Sequence, residues 1–256
     1  MKIAVATYSL RQNIKNGMSF PEIADFLVEL DIKHVEINNI FTSPEKLLEI
    51  VTIFKEKHID TVLLTIDGNN FFQGKPKARE DQFNWMKPWL DAAHNSGIPM
   101  VRANMGHHRG LFLSRKKILK QQVETFKPIQ EYAESLGITF VFENHGGPSS
   151  DVEFQLAVKE HFPTEKMGFL LDTGNYKPKS RVYENIKKLG KAIKIVHAKM
   201  YEFDDQGMET TLDFPRIVNA LNEIGFDGYY SVEYEGSLPG KEGVKKSIAL
   251  LRCINK

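Results

Sequence analysis

Residues 140–151 read FVFENHGGPSSD and contain one complete junction between a strand and a helix. The first three residues have the apolar, strand-favouring character of a buried β-strand. The strand ends in Glu143, although a carboxylate that is buried without a partner is costly. Ser150 and Asp151 are typical residues at the start of a helix. The stretch therefore predicts a βα unit whose strand carries a carboxylate at its carboxyl end.

Seven other short runs share the character of this strand and are spread along the whole chain. Together with it they are KIAVAT from Lys2, HVEIN from His34, TVLLTI from Thr61, MVRAN from Met100, TFVFE from Thr139, GFLLD from Gly168, IKIVHA from Ile193 and YYSVE from Tyr229. The segments between them have helical periodicity, as in PEIADFLVEL from Pro21. Ser19 and Glu22 have the spacing of a capping box in front of that segment.

Eight alternating strands and helices predict an α/β fold with a parallel sheet. Eight repeats in 256 residues match the size of a closed (β/α)8 TIM barrel, and we expect a single domain over residues 1–256. An open, doubly wound sheet is the alternative. It is less favoured because the first junction, TYSLRQNIKNG, lacks the glycine pattern that binds a dinucleotide phosphate.

Composition limits the class of partner. The chain has 34 basic and 33 acidic residues, so its net charge of +1 provides no overall attraction to nucleic acid or to an anionic membrane. Cys253 is the single cysteine, which excludes an internal disulfide and a cysteine-rich zinc site. No apolar stretch approaches the roughly 20 residues that span a bilayer. We expect a cytoplasmic protein, and the sequence leaves open whether it forms homo-oligomers.

Four consecutive predicted strands each end with a residue that commonly binds metal. These residues are Glu143, Asp172, His197 and Glu233. Each of them singly could be a helix cap or a solvated strand end, but strand ends in a barrel share one mouth, so the four should be neighbours. Three clustered carboxylates repel one another unless a cation neutralises them. The set favours one divalent metal, with Mn²⁺ preferred, Mg²⁺ or Co²⁺ as alternatives and Zn²⁺ less suitable.

The contexts FENHGG, LLDTGNY, VHAKM and SVEYEG resemble those of the xylose-isomerase-like TIM-barrel superfamily, and within it the sugar phosphate isomerase/epimerase group that includes ketose 3-epimerases. The resemblance extends from TYSLRQ at the first strand to SVEYEG at the eighth. It implies that all four residues bind one divalent metal and that Glu143 and Glu233 also serve as acid and base. Asn175 stands where such epimerases often carry a substrate-binding histidine, so their substrate preference does not transfer directly.

Other polar residues near the strand ends are candidates for substrate binding. They are Glu36, Arg102, Asn104, His145, Asn175 and Lys199. Glu36 shares one face of the second strand with Asn38, as Arg102 shares one face of the fourth strand with Asn104. Arg102 could instead pair with Glu36 inside the barrel. Phe71 or Phe72, in the stretch after the third strand, could stack on the apolar face of a sugar.

Chemistry that suits this set begins with removal of a proton beside a sugar carbonyl, through an enediolate that a metal stabilises. A second carboxylate can return the proton to the other face, giving epimerisation, or to the neighbouring carbon, giving isomerisation. A keto-sugar or inosose dehydratase or lyase would use the same first step. A non-catalytic sugar-binding barrel and an abasic-site endonuclease are less favoured, because the paired glutamates suit catalysis and the endonuclease branch needs more histidines.

The loops after the last two strands, MYEFDDQG and YEGSLPGKEG, are acidic rather than basic and glycine-rich. Barrels often bind phosphate in these loops, so we expect a small-molecule sugar or derivative without a phosphate. Lys75, Lys77 and Arg109, in the loops after the third and fourth strands, could nevertheless contact one.

Overall fold

A computed structural model describes residues 1–107 and 113–254. Within them, eight parallel strands close into a barrel in chain order, because β8 pairs with β1. The strands are β1 Lys2–Ala6, β2 His34–Asn38, β3 Asp60–Ile66, β4 Met100–Asn104, β5 Thr139–Glu143, β6 Met167–Asp172, β7 Ile193–Met200 and β8 Tyr229–Tyr234. All eight runs predicted from the sequence are strands, and the closed barrel excludes the open sheet.

Helices lie between the strands and cover the outside of the barrel. In the described part of the chain they are α1 Arg11–Lys15, α2 Phe20–Glu29, α3 Leu47–Glu56, α4 Pro76–Asn95, α5 Arg115–Ser135, α6 Val152–Glu160, α7 Arg181–Leu189, α8 Phe214–Glu223 and α9 Gly240–Ile254. Ser19 and Glu22 form the predicted capping box of α2. Asp151 is the N-cap of α6 and accepts hydrogen bonds from the backbone N–H groups of Glu153 and Phe154. None of the helices in these residues is long and apolar enough to cross a membrane.

Outward-facing residues of β5 pack against α5. The ring of Phe126 on α5 lies 4.8 Å from that of Phe140 and 4.5 Å from that of Phe142, measured between centroids. Phe71 joins the same cluster, with its centroid 5.5 Å from Phe126, and is fully buried. Phe72 is also buried. The expectation that one of these two phenylalanines stacks over the mouth is therefore wrong, since Phe71 packs between β5 and α5 and Phe72 lies beside Phe154 of α6, with 6.1 Å between ring centroids.

Inward-facing residues build a floor and, above it, a polar layer. The floor is a small apolar cluster of Ala4, Val62, Leu63, Val141, Leu170 and Ile195. Two residues further along their strands stand Glu143, Asp172 and His197, on the same face because side chains in a strand alternate. The apolar floor therefore closes the barrel beneath the polar groups. Glu143 and Asp172 end their strands as predicted, whereas β7 continues for three residues beyond His197, to Met200.

Candidate metal centre

The four residues predicted to bind metal come together at the mouth of the barrel. Glu143, Asp172, His197 and Glu233 are buried, and each offers one ligand atom that lies within 4.8 Å of the others. Nδ1 of His197 is 3.8 Å from Oε1 of Glu143, 3.9 Å from Oδ2 of Asp172 and 3.5 Å from Oε2 of Glu233. Neighbouring strands β5 to β8 thus direct three carboxylates around one imidazole nitrogen.

The state of His197 tests whether this cluster suits a metal. Its Nδ1 is buried and has no hydrogen-bond partner among the described residues, whereas Nε2 lies 3.0 Å from Oε2 of Glu36. Donation from Nε2–H to Glu36 leaves a lone pair on Nδ1, which is the tautomer that a metal-binding histidine requires. Burial lowers the pKa of His197, but the carboxylates of Glu36 and Glu233 outweigh it and raise the pKa to about 10. Without a metal these carboxylates favour a proton on Nδ1, and a divalent cation would take the place of that proton, so the residues fit a divalent metal.

Glu36 lies beneath His197 and is almost fully buried. Its carboxylate accepts hydrogen bonds from the hydroxyl groups of Thr65 and Ser231, the latter at 2.6 Å, in addition to the His197 ring. These contacts fix the imidazole from below. Glu36 touches His197 rather than the open space of the mouth, so its proposed contribution to substrate binding acts through that ring.

Arg102 is buried and bridges two carboxylates, neither of which is Glu36. Its guanidinium donates to Oε2 of Glu143 and, at 2.7 Å, to Oδ1 of Asp67. Asn104 donates to the same oxygen of Asp67 at 2.9 Å. Arg102 therefore does not adopt the alternative pairing with Glu36, because Asp67 after β3 and Glu143 at the end of β5 provide its carboxylate partners.

Asp172 is oriented by its own turn and by the preceding strand. Its Oδ1 accepts hydrogen bonds from the backbone N–H groups of Gly174 at 2.7 Å and Asn175 at 3.0 Å, which leaves Oδ2 directed at the centre. The side chain of Asn144 donates to the carbonyl of Asp172 and accepts from its N–H, at 2.9 and 2.8 Å. Burial raises the pKa of Asp172.

Lys199 places an ammonium group directly beside the carboxylates of the candidate metal centre. Its Nζ lies 3.0 Å from Oδ2 of Asp172, 3.0 Å from Oε2 of Glu233 and 3.2 Å from Oε1 of Glu235. Burial lowers the pKa of Lys199, but these carboxylates outweigh it and raise the pKa. The pKa of Glu233 lies well below its usual range, because His197 and Lys199 overcome the opposing effect of burial.

Asn175 connects the two halves of the centre. Its Nδ2 donates to Oε1 of Glu143 at 3.0 Å, and its Oδ1 accepts from Nζ of Lys199 at 3.3 Å. Glu143 therefore accepts from Asn175 on one oxygen and from Arg102 on the other. The neutral amide of Asn175 thus forms hydrogen bonds to both a carboxylate and an ammonium group, since it has one donor and one acceptor side.

A cavity of about 300 Å³ opens onto this centre, at the lower end of the range for ligand pockets. It is lined by Tyr8, Asn38, Ile40, Thr65, Asp67, Arg102, His145, Lys199, Glu233 and Glu235. Burial and the positive charges of Arg102 and Lys199 lower the pKa of His145, which keeps its ring neutral at pH 7. The cavity is therefore small and lined mainly by polar and charged groups.

Two carboxylates of this cavity were not singled out from the sequence. Asp67 directly follows β3 in TVLLTID, so the strand-end argument that found Glu143 could have found it too. Glu235 follows Glu233 by two residues and faces Lys199.

Of the lysines considered for phosphate, Lys77 pairs with Glu80 and Asp81 along α4. Lys75 is exposed at the N-cap of the same helix, and Arg109 lies outside the described residues.

Residues 19–254 match the family model described as xylose isomerase-like TIM barrel. The chain belongs to this family. In fold it is similar to a structure of L-ribulose 3-epimerase, with a TM-score of 0.82 and 14% identity over 98% of this chain and 93% of that one. It is also similar to D-psicose 3-epimerase from Clostridium cellulolyticum H10, with a TM-score of 0.79 and 13% identity over 99% of both chains.

A short segment is similar to the C-glycoside deglycosidase alpha subunit of Arthrobacter globiformis, with 40% identity over 57 residues. That segment covers 22% of this chain and 16% of the subunit. An uncharacterised protein of Methanocaldococcus jannaschii is 26% identical over 53% of this chain and 51% of its own length. The chain thus spans about half or less of the curated relatives that it matches.

Proposed function

We propose that this barrel is a divalent-metal-dependent sugar isomerase or epimerase that transfers a proton beside a carbonyl group. The observation that carries the proposal is a pair of buried glutamates, each with its own cation, in one centre. Glu143 is held by Arg102, and Glu233 is held by Lys199 at 3.0 Å. Carboxylates that are ionised and shielded from water can accept a proton from carbon when the developing charge is stabilised.

The metal would be held by Glu143, Asp172, His197 and Glu233. When bound, it would supply Lewis-acid stabilisation of negative charge on the substrate carbonyl oxygen. Manganese is the ion that we favour for this oxygen-rich set, with Mg²⁺ or Co²⁺ as alternatives.

The residues of the chain then have separate tasks. One of Glu143 and Glu233 takes the proton from the carbon beside the carbonyl, and the other returns a proton. Return to the opposite face of the same carbon inverts it. Return to the former carbonyl carbon isomerises the sugar, provided that the hydroxyl proton also moves from one oxygen of the enediolate to the other. Lys199 has a raised pKa, so it keeps its proton and donates hydrogen bonds to a substrate oxygen rather than acting as an acid.

Six further residues complete the proposed substrate site: Glu36, Arg102, Asn104, His145, Asn175 and Lys199. Arg102 and Lys199 reach the cavity directly, as does the neutral ring of His145. Asn104 acts through Asp67, and Asn175 acts through Glu143 and Lys199. Their shared effect is to hold the reacting carboxylates in fixed positions around the substrate.

A keto-sugar dehydratase or lyase remains the second candidate, since it starts with the same proton removal. A probable 3-DHS dehydratase from Bacillus anthracis has the same fold, with a TM-score of 0.78 at 14% identity. Elimination also needs an acid to protonate the departing hydroxyl group. Lys199 is paired with Asp172 and Glu233, so one of the two glutamates would have to supply that proton, and analysis of the product separates the two reactions.

Deuterium incorporation tests the proposal. The Mn²⁺-loaded protein is incubated in D₂O with ketoses, ketose phosphates and keto-glycosides, and each C–H position is followed by NMR. We expect exchange beside a carbonyl, lost on adding a chelator, and the product separates an isomerase from an epimerase or a dehydratase.

The Glu143→Gln variant should fold and bind Mn²⁺ but lose exchange by at least a hundredfold, since an amide cannot accept the proton. Glu165→Gln is the matched control, because the Glu165 side chain is 94% exposed at the start of β6, on the opposite end of the barrel. Exchange at the wild-type rate in Glu143→Gln would remove this residue from the mechanism. Metal-independent exchange would remove the metal.

A further inference from the structure

In the loop between β7 and α8, a buried carboxylate accepts hydrogen bonds from backbone N–H groups of the same loop. Glu209 is 7% exposed and accepts hydrogen bonds from the N–H groups of Thr211 at 2.7 Å and Tyr201 at 3.2 Å. The N–H groups of Glu202 and Leu212 donate to the same carboxylate. One side chain thus occupies four amides of the loop.

Backbone N–H groups of the loop between β8 and α9 also have acceptors within the protein. Both oxygens of Glu202 accept from Ser237, one from its N–H at 3.1 Å and one from its hydroxyl at 3.0 Å. The N–H of Leu238 donates to the hydroxyl oxygen of Tyr234 at 2.8 Å, and the N–H of Glu235 donates to the carbonyl of Met200 at 2.9 Å. Glu202 and Ser237 are both exposed, and the carboxylate of Glu202 takes the amide and hydroxyl donors that an anion could use at this point of the loop.

These two loops are the ones with which barrels of this type commonly hold a phosphate, through backbone N–H groups. A phosphate oxygen would have to displace Glu209 or Glu202 to reach them. Displacing Glu209 would leave a buried carboxylate without its hydrogen bonds, which is costly.

The charge around the cavity also disfavours a phosphorylated ligand. Six carboxylates, Glu36, Asp67, Glu143, Asp172, Glu233 and Glu235, surround the centre with two permanent cations, Arg102 and Lys199. The six ionised carboxylates and the two cations sum to −4, so the centre carries a formal charge of −2 when a divalent metal is bound to the neutral ring of His197. A phosphate monoester would add roughly −1.5 to −2 at neutral pH. The field of the site therefore repels a phosphorylated substrate.

Two of these carboxylates are suited to a neutral ligand. The side chains of Asp67 and Glu235 are 33% and 28% exposed, at the rim of the cavity. Each can accept a hydrogen bond from a hydroxyl group while it keeps its ion pair with Arg102 or Lys199. A sugar hydroxyl offers the donor that these oxygens need.

We propose that the substrate is an uncharged polyhydroxy carbonyl compound without phosphate, and that Glu202 and Glu209 exclude phosphate by occupying the loop amides. This inference rests on the proposed function, which leaves the phosphorylation state open. It assigns Glu202, Glu209, Asp67 and Glu235 to specificity rather than to the proton transfer.

Matched sugars test this assignment. Fructose, fructose 1-phosphate and fructose 6-phosphate, and the corresponding tagatose series, are titrated into the Mn²⁺-loaded protein by calorimetry, and exchange in D₂O is followed for each. We expect the unphosphorylated member of a series to bind at least tenfold more tightly than its phosphates and to exchange faster. A phosphate that binds as tightly as its parent sugar overturns the assignment, and its exchange would still support the reaction.

The two proposals can fail separately. Tighter binding of the unphosphorylated sugar without exchange upholds the substrate class and refutes the reaction. Absence of binding by every unphosphorylated sugar overturns the substrate class, and the wider panel described above then decides the reaction.

A variant links the discrimination to the loop. Glu202→Ala frees the N–H and hydroxyl groups of Ser237, so the affinity for the sugar phosphates relative to the parent sugar should rise at least threefold. Asp205→Ala is the control, because Asp205 is exposed in the same loop and accepts no hydrogen bond from a described residue. An unchanged ratio in Glu202→Ala, with the fold retained by circular dichroism, would contradict the role of Glu202.

Discussion

Lys199 allows the sharpest test of the electrostatics of this centre. Its side chain is 5% exposed, and its ammonium lies within 3.2 Å of carboxylate oxygens of Asp172, Glu233 and Glu235. In Lys199→Met, a side chain of similar length replaces the cation and leaves these carboxylates without it. We expect the metal-free variant to be strongly destabilised.

The size of the effect follows from the burial of the group. Removing one partner of a buried ion pair costs about 3–5 kcal/mol, because the remaining charge stays buried and unpaired. For a chain of this length, 1 kcal/mol corresponds to about 2–4 °C in Tm, so the metal-free variant should melt roughly 6–20 °C below the wild type.

Manganese should reverse much of this loss, because a divalent cation among the same carboxylates replaces the missing ammonium. By linkage, stability that the metal restores is affinity that the metal gains. Recovery of about 1.4 kcal/mol corresponds to tenfold tighter binding, so we expect Lys199→Met to bind Mn²⁺ at least tenfold more tightly than the wild type.

Thermal unfolding with chelator and with saturating Mn²⁺, together with calorimetric titration of Mn²⁺, measures both effects. Lys194→Met is the control, since Lys194 is 20% exposed and pairs with the exposed Glu165 near the start of β7. The argument is refuted if Lys199→Met loses the same Tm with and without Mn²⁺, or if its Mn²⁺ affinity falls.

Two further predictions concern the walls of the barrel. Burial raises the pKa of Asp67, but Arg102 outweighs burial and holds the pKa below its ordinary value of 3.8. The stability that this carboxylate adds to the folded state is therefore complete above pH 3.8. It is lost as the pH falls through the lower pKa of the folded state. Urea unfolding of wild type and Asp67→Asn should therefore differ most at pH 7 and converge below about pH 4, and a constant difference down to pH 3 would contradict this. Buried Ser9 donates to the carbonyl of Val232 at 2.9 Å and accepts from the N–H of Tyr234 at 2.8 Å. Ser9→Ala should cost about 1–3 kcal/mol in the same assay, whereas the exposed control Ser135→Ala should cost less than about 0.5, and equal losses would show that the Ser9 bonds add nothing.

The sequence by itself predicted the strands, favoured the closed barrel over an open sheet and identified the four residues of the candidate metal centre. Strands of a βα barrel are neighbours in chain order, so residues at four consecutive strand ends must meet at one mouth. Glu143, Asp172, His197 and Glu233 satisfy that condition through local patterns alone. Their roles in catalysis stay a prediction.

The tertiary structure decided which other side chains these residues touch. Arg102 reaches Asp67 and Glu143 rather than Glu36, because the stagger between strands sets the height of each inward side chain. A linear pattern gives the face on which a residue lies but not its height in the barrel.

Loops depend still more on the folded chain. Glu209 takes four backbone amides because the turn after β7 folds back around its carboxylate. In sequence the same residue is one more acid in an exposed-looking loop. Loop amides and carboxylates have no periodicity that predicts their partners, since their hydrogen bonds depend on the path of the backbone rather than on spacing along the chain.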